Sequence, residues 1–225
     1  MSKFIIVSSF RSGSTLLNEG LSQHPNLNVT YEILHENSSA GNVLWRNDFA
    51  VPFGLNEKFI TAATNKFDGF KILYHQLGAS HKLWDYFLSN YKIIHLIRRN
   101  MAETIVSFIS CRNTNIWQRR SPESLDFSPV KIEPLELFKK IEELDKKITS
   151  YKKLFENNSL LLYYEDLVQN WDKELSKVYE FIKENNFQVK MTTYKRSPVL
   201  CKLLANYDEH RRFFKQTIYS DFFES

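Results

Sequence analysis

Short apolar runs alternate with longer amphipathic stretches along the 225-residue chain. The segment FIIVSSFRSGSTLLNEGL begins with such a run, and the β-branched residues of Phe4–Val7 predict a buried strand over residues 3–9. Apolar positions then recur at helical spacing until Pro25, which is expected to end the helix. The chain is therefore predicted to start with a strand, a small polar loop and a helix.

The same two patterns repeat over the rest of the chain. Strands are predicted at residues 28–34, 69–73, 92–97 and 160–164. Helices are predicted at residues 55–67, 81–88, 101–111, 137–155 and 173–184 and in the C-terminal quarter, with a long loop over 117–133. Strands that alternate with helices predict a single α/β domain over residues 1–225, with a mostly parallel central sheet and helices on both faces.

Composition excludes several classes of protein. The formal net charge of +4 is too small to argue for nucleic-acid binding, although it suits an anionic ligand. Cys111 and Cys201 are far apart, so neither a disulfide framework nor a zinc site is indicated, and the histidines lack metal-ligand spacing. No apolar run approaches the ~20 residues that span a bilayer. The first strand leaves no room for a targeting peptide, so we expect a soluble cytoplasmic protein. Because the histidines and cysteines lack ligand spacing, we also expect no metal site.

The loop after the first strand has the chemistry of an anion site. A loop that leads into a helix N-terminus presents unpaired N–H groups, and Arg11, Ser12, Gly13, Ser14 and Thr15 add a guanidinium, hydroxyl donors and close backbone approach. The alternative is that Ser14 only caps the helix and Arg11 is a surface charge. The loop lacks the GxxxxGK[ST] pattern of nucleotide triphosphate loops, which opposes a kinase or NTPase.

FRSGSTLL resembles the loop of sulfotransferases that use 3′-phosphoadenosine 5′-phosphosulfate (PAPS). The resemblance implies a three-layer P-loop-like fold in which residues 11–15 wrap the 5′-phosphosulfate. Many relatives carry Lys where Arg11 stands, or a proline where Met101 stands.

A second segment, KIIHLIRRNMAETIVSF, is similar to the strand and helix that bind the 3′-phosphate in those enzymes. There an arginine at the strand end is followed eight residues later by a serine, which implies Arg99 and Ser107 here. Arg98 is the competing choice, at a spacing of nine.

HPNLNVTYEILHE resembles the segment near the acceptor in carbohydrate and glycolipid sulfotransferases, which implies Glu32 as the general base. His35 and Glu36 are the rival candidates. LLLYYEDLVQNW and the NYDE region of the last quarter are also similar to the family, and Lys195 or Arg196 is a further candidate for the cofactor phosphates.

The sequence thus leads us to expect a PAPS-dependent sulfotransferase that acts on a hydroxyl of a carbohydrate, glycolipid or small metabolite. In-line displacement would need positioning and charge stabilisation, for which Arg11 is the candidate. Trp117, Arg119 and Arg120 of the long loop are candidates for acceptor contacts. The alternatives are a nucleotide-dependent small-molecule kinase and a non-catalytic nucleotide-binding domain.

Overall fold

A computed structural model describes residues 2–34, 60–61, 64–117, 129–191 and 199–224. The described strands form one parallel sheet in the order β2-β3-β1-β4-β5. The strands are β1 (Phe4–Ser8), β2 (Val29–Glu32), β3 (Gly69–Leu73), β4 (Lys92–Ile97) and β5 (Ser159–Tyr163). The helices are α1 (Ser14–Leu21), α2 (Leu83–Asn90), α3 (Met101–Thr114), α4 (Pro134–Phe155), α5 (Tyr164–Gln169), α6 (Trp171–Ile182), α7 (Leu200–Leu203) and α8 (Tyr207–Phe214), with a 3₁₀ turn at Ser220–Phe223.

β1 lies at the centre of the sheet, because it pairs with β3 on one side and with β4 on the other. The chain builds β2 and β3 on the first side of β1 and then crosses to build β4 and β5 on the second. The carboxyl end of β1 is therefore the point where the strand order reverses, and ligands of open α/β sheets bind at this position.

The central strands are buried on both faces, since successive side chains of a strand point to opposite sides. Ile5 and Val7 of β1 join one hydrophobic core, and Phe4 and Ile6 join another. α3 and α4 contribute to the first core, whereas α1 and α6 contribute to the second. This three-layer arrangement confirms the predicted fold class.

The predicted strands are confirmed with small shifts at their ends, since Tyr164 starts α5 instead of ending β5. The long helix begins at Pro134, three residues before the predicted start, because proline suits the first turn of a helix. The helix predicted at 81–88 is found at Leu83–Asn90. The helix predicted at 55–67 and the loop predicted at 117–133 lie largely outside the described residues.

Candidate active site

The loop between β1 and α1 has a fixed, unusual backbone. Arg11 and Gly13 both have positive φ, at 57° and 89°. A Cβ on Gly13 would lie 2.3 Å from the ring of Tyr164, so the aromatic ring closes directly over this glycine. The buried Ser12 hydroxyl donates to the carbonyl of Ser9 at 2.8 Å and holds the turn from inside. α1 begins without a side-chain cap, so its first amides are available to an anion.

The structure brings Arg11 together with Ser107, which lies 96 residues further along the chain in α3. Arg11 Nε donates to Ser107 Oγ at 3.2 Å, and Arg11 Nη1 donates to the carbonyl of Trp117 at 2.6 Å. Ser107 is almost fully buried. The guanidinium therefore lies between the loop and α3, at the carboxyl edge of the sheet.

Arg98 follows β4 and is buried beneath the same loop, with 6% of its surface exposed. Its Nη1 donates to the carbonyl of Arg11 at 3.4 Å, its Nη2 pairs with Glu103, and its guanidinium lies 4.9 Å from the centre of the Tyr164 ring. Burial lowers the pKa of Arg98, while Tyr164 and Glu165 act in the opposite direction. Among the described residues the buried Arg98 Nε has no hydrogen-bond partner.

Arg99, the neighbouring residue, has a different environment. Its two terminal nitrogens donate to the two carboxylate oxygens of Asp166, both at 2.7 Å, and its guanidinium lies 4.0 Å from the centre of the Tyr163 ring. The bond to Asp166 raises the pKa of Arg99, and the reciprocal bond lowers the pKa of Asp166. The side-chain contacts of Arg99 are therefore with β5 and α5, and those of Arg98 include the β1–α1 loop.

Glu32, at the end of β2, connects to the loop through a residue that sequence reasoning missed. The Lys71 ammonium lies 3.1 Å from a Glu32 carboxylate oxygen and donates to Thr15 Oγ1 at 3.0 Å. Gln76 donates to the other carboxylate oxygen at 2.8 Å. A lysine inside GFKIL was an available signal, since a charged residue in an otherwise buried strand is rare unless it is paired.

Several predicted residues lie outside the described part of the chain: His35, Glu36, Arg119, Arg120, Lys195 and Arg196. Their proposed roles stay predictions. Trp117 is described and is 43% exposed, and its backbone carbonyl accepts a hydrogen bond from Arg11.

The sequence profile of the sulfotransferase domain matches residues 1–197. The chain belongs to the sulfotransferase family. This family uses PAPS as the sulfuryl donor. The protein is therefore a PAPS-dependent sulfotransferase, as expected from the sequence.

Solved structures share the fold of this sulfotransferase. A sulfotransferase from Alicyclobacillus acidocaldarius superposes with a TM-score of 0.56 at 16% identity, over 95% of this chain and 91% of the other. The mouse sulfotransferase SULT7A1, complexed with PAP, superposes with a TM-score of 0.51 at 15% identity, over 93% of this chain and 66% of the other. No curated protein sequence matches the chain significantly.

The described residues contain neither a metal-binding cluster nor a membrane-spanning helix. No group of three or more His, Cys, Asp or Glu side chains in this part of the sulfotransferase could hold a metal ion. None of the described helices has both the length and the apolar character needed to cross a bilayer. The expected absence of a metal and the expected compartment stay predictions.

Proposed function

We propose that this sulfotransferase transfers the sulfuryl group of PAPS to a hydroxyl of a carbohydrate, a glycolipid or a small metabolite. The observation that carries the proposal is the 3.2 Å contact between Arg11 and Ser107. The sequence linked these residues to two groups that the ribose of PAPS carries, the 5′-phosphosulfate and the 3′-phosphate. Their contact supports one nucleotide site at the carboxyl edge of the sheet.

The β1–α1 loop fits a 5′-phosphosulfate. Gly13 provides the positive φ that turns the loop into α1, the uncapped start of α1 supplies amide donors, and Ser14 and Thr15 carry hydroxyls. When bound, PAPS supplies an activated sulfuryl group and a phosphate leaving group. Arg11 stabilises the negative charge that develops on that phosphate, because a preorganised guanidinium needs no reorientation during the reaction.

The 3′-phosphate site involves Ser107 and one arginine that follows β4. The sequence favoured Arg99, whose guanidinium is occupied by Asp166. Arg98 also pairs with a carboxylate, that of Glu103. The contacts nevertheless support Arg98, because it touches the Arg11 backbone and its buried Nε has no partner in the described part of the chain. We therefore assign Arg98 and Ser107 to the 3′-phosphate, with Arg99 as the alternative.

Glu32 is the proposed general base. The acceptor oxygen forms a bond to sulfur, the bond from sulfur to the 5′-phosphate oxygen breaks, and the hydroxyl proton passes to the Glu32 carboxylate. Lys71 and Gln76 hold this carboxylate, and Lys71 also links it to Thr15. The base and the phosphosulfate loop are therefore joined by one buried cation.

The experiment is a thermal-shift series with 3′-phosphoadenosine 5′-phosphate (PAP), ADP, and ATP with and without magnesium. Ligand at one hundred times its dissociation constant adds about 2.7 kcal/mol to the free energy of unfolding. We expect stabilisation by PAP and much less by ADP, which lacks the 3′-phosphate. Transfer of label from PAPS to a panel of hydroxyl acceptors then tests the reaction.

Two other outcomes would favour the alternative functions. Stabilisation only by magnesium-ATP would favour the kinase alternative. Stabilisation by PAP without transfer to any acceptor in the panel would favour a non-catalytic nucleotide-binding domain.

A further inference from the structure

A cavity of about 390 Å³ lies beside the β1–α1 loop, between α3 and α4. This volume falls within the range of small-molecule sites, roughly 300–1,000 Å³. Ser9 and Phe10, which directly precede Arg11, line the cavity, and so does Phe108, which directly follows Ser107. The cavity therefore adjoins the position proposed for the sulfuryl group.

The inner wall of this cavity is aromatic and apolar. The rings of Phe10 and Phe108 are stacked, with their centres 4.0 Å apart, and Tyr74, Ile105 and Ile109 continue the same wall. Such a surface suits the flat or apolar body of a small molecule, since stacked and apolar contacts favour rings over extended polar chains.

The outer part of the cavity is basic. α3 contributes Arg112, and α4 contributes Lys140 and Lys147 with Glu143 between them. The positions on α4 lie three and four residues apart, so they share one face of the helix. Among the lining residues that the structure describes, three cations thus face one carboxylate. Lys140 also pairs with Glu136 at 3.4 Å, but both side chains are more than 40% exposed, and such pairs are weak.

We infer that this cavity is the acceptor site and that it selects a hydroxylated anion with an apolar ring. The inference rests on the proposed nucleotide site and sulfuryl transfer, with the acceptor left open between a carbohydrate, a glycolipid and a small metabolite. It does not rest on Glu32, which is not among the described residues that line this cavity. The apolar wall would hold the ring beside Arg11, and the basic rim would bind a carboxylate or a similar anionic group at the other end. This surface was not predicted from the sequence, which pointed to the loop around Trp117 and Arg119 for acceptor contacts.

A matched pair of probes tests the inference. 6-Hydroxy-2-naphthoate and 2-naphthol share a ring system and a hydroxyl, and differ by one carboxylate. We expect the PAP-loaded protein to bind the naphthoate roughly tenfold more tightly than the naphthol, as expected for one carboxylate near several exposed cations. Added salt should weaken only the naphthoate, because exposed charges are screened.

Charge-removing variants test whether the rim cations cause the preference for the naphthoate. Arg112→Gln with Lys147→Gln removes two rim cations and should abolish most of the preference for the naphthoate while it leaves naphthol binding unchanged. Lys139→Gln with Lys173→Gln is the control: it removes the same charge from exposed positions outside the cavity, one of them on α4, and should preserve the preference.

The outcomes separate this inference from the proposed function. Equal affinity for the two probes, failure of the naphthoate to bind, or an equal loss in the control variant would overturn the inference. If PAP does not stabilise the unmodified protein, the proposed function is overturned instead. The affinities for the two probes can then still be measured without PAP. Preferential sulfation of the naphthoate over the naphthol would support both.

Discussion

Arg98 and Arg99 are adjacent in sequence but differ in what a substitution would remove. Arg98 is buried and touches the β1–α1 loop, whereas Arg99 is 47% exposed and pairs with Asp166. Because consecutive residues at a strand end point in different directions, only one of them is directed under the loop. Substitution at the two positions should therefore have unequal effects on nucleotide binding.

We expect Arg98→Gln to weaken PAP binding by about 2 kcal/mol, roughly thirtyfold, since charge-assisted hydrogen bonds contribute about 1.5–3 kcal/mol. Arg99→Gln should change it by less than about threefold, because it removes an exposed pair. Titration calorimetry with PAP measures both. Arg98→Gln removes the cation that pairs with Glu103, so Arg98→Gln with Glu103→Gln serves as the control for folding. A larger loss for Arg99→Gln would return the 3′-phosphate to Arg99.

Glu32→Gln should lower kcat by about two to four orders of magnitude, the usual contribution of a general base. PAP binding should stay nearly unchanged, because the amide retains the shape of the side chain. Glu19→Gln is the matched control, since Glu19 lies on α1 and accepts a hydrogen bond from the Tyr31 hydroxyl of β2. Steady-state kinetics with labelled PAPS provides the measurement. Activity near the unmodified level would move the base to His35 or Glu36.

At the scale of elements, the β1–α1 loop depends on the contact between Gly13 and α5. Gly13→Ala places a Cβ against the Tyr164 ring at a φ of 89°, so we expect a loss of at least about 2 kcal/mol in the free energy of unfolding and weaker PAP binding. Gly78→Ala is the control, because a Cβ there meets nothing within 4 Å. Urea unfolding compares the two variants. Equal stabilities would show that the ring moves aside without cost.

The sequence was most informative for features that depend on residues close together in the chain. β1, β3 and β4 were predicted from short apolar runs, and the loop was recognised from five consecutive residues. Lys71 was missed because its meaning depends on partners 39 and 56 residues away in the chain, Glu32 and Thr15. Periodicity reports which face of an element is apolar, but not which element packs against it. The cavity between α3 and α4 could therefore not be predicted, because it depends on which helices pack against each other.

At the scale of the whole molecule, the sheet buries a histidine in the core on the α4 side. His95 of β4 is 1% exposed, its Nε2 lies 2.6 Å from the Tyr74 hydroxyl, and its ring packs against Phe155. Burial, with a smaller contribution from Lys152, lowers the pKa of His95 to about 3. The folded protein therefore holds this ring neutral at pH values where the unfolded chain protonates it.

The buried histidine should make the free energy of unfolding depend on pH. Below the unfolded pKa of about 6.5 and down to about 3, the unfolded state binds one more proton at His95 than the folded state does. The free energy of unfolding should therefore decrease as pH falls through this window, by up to about 1.4 kcal/mol per pH unit from this residue. Burial also lowers the pKa of His210, which adds a contribution of the same sign.

His95→Phe should remove the share of this slope that belongs to one histidine, even though the variant is less stable overall because the Tyr74 hydroxyl loses its partner. Urea unfolding between pH 7.5 and pH 4.5 provides the slopes, and the difference between variants isolates the residue because carboxylate protonation is common to both. Tyr74→Phe, which removes the same hydrogen bond but leaves the buried histidine in place, is the control and should keep the original slope. If His95→Phe has the same slope as the unmodified protein, the ring is protonated in the folded state and the sheet tolerates a buried imidazolium beside Tyr74.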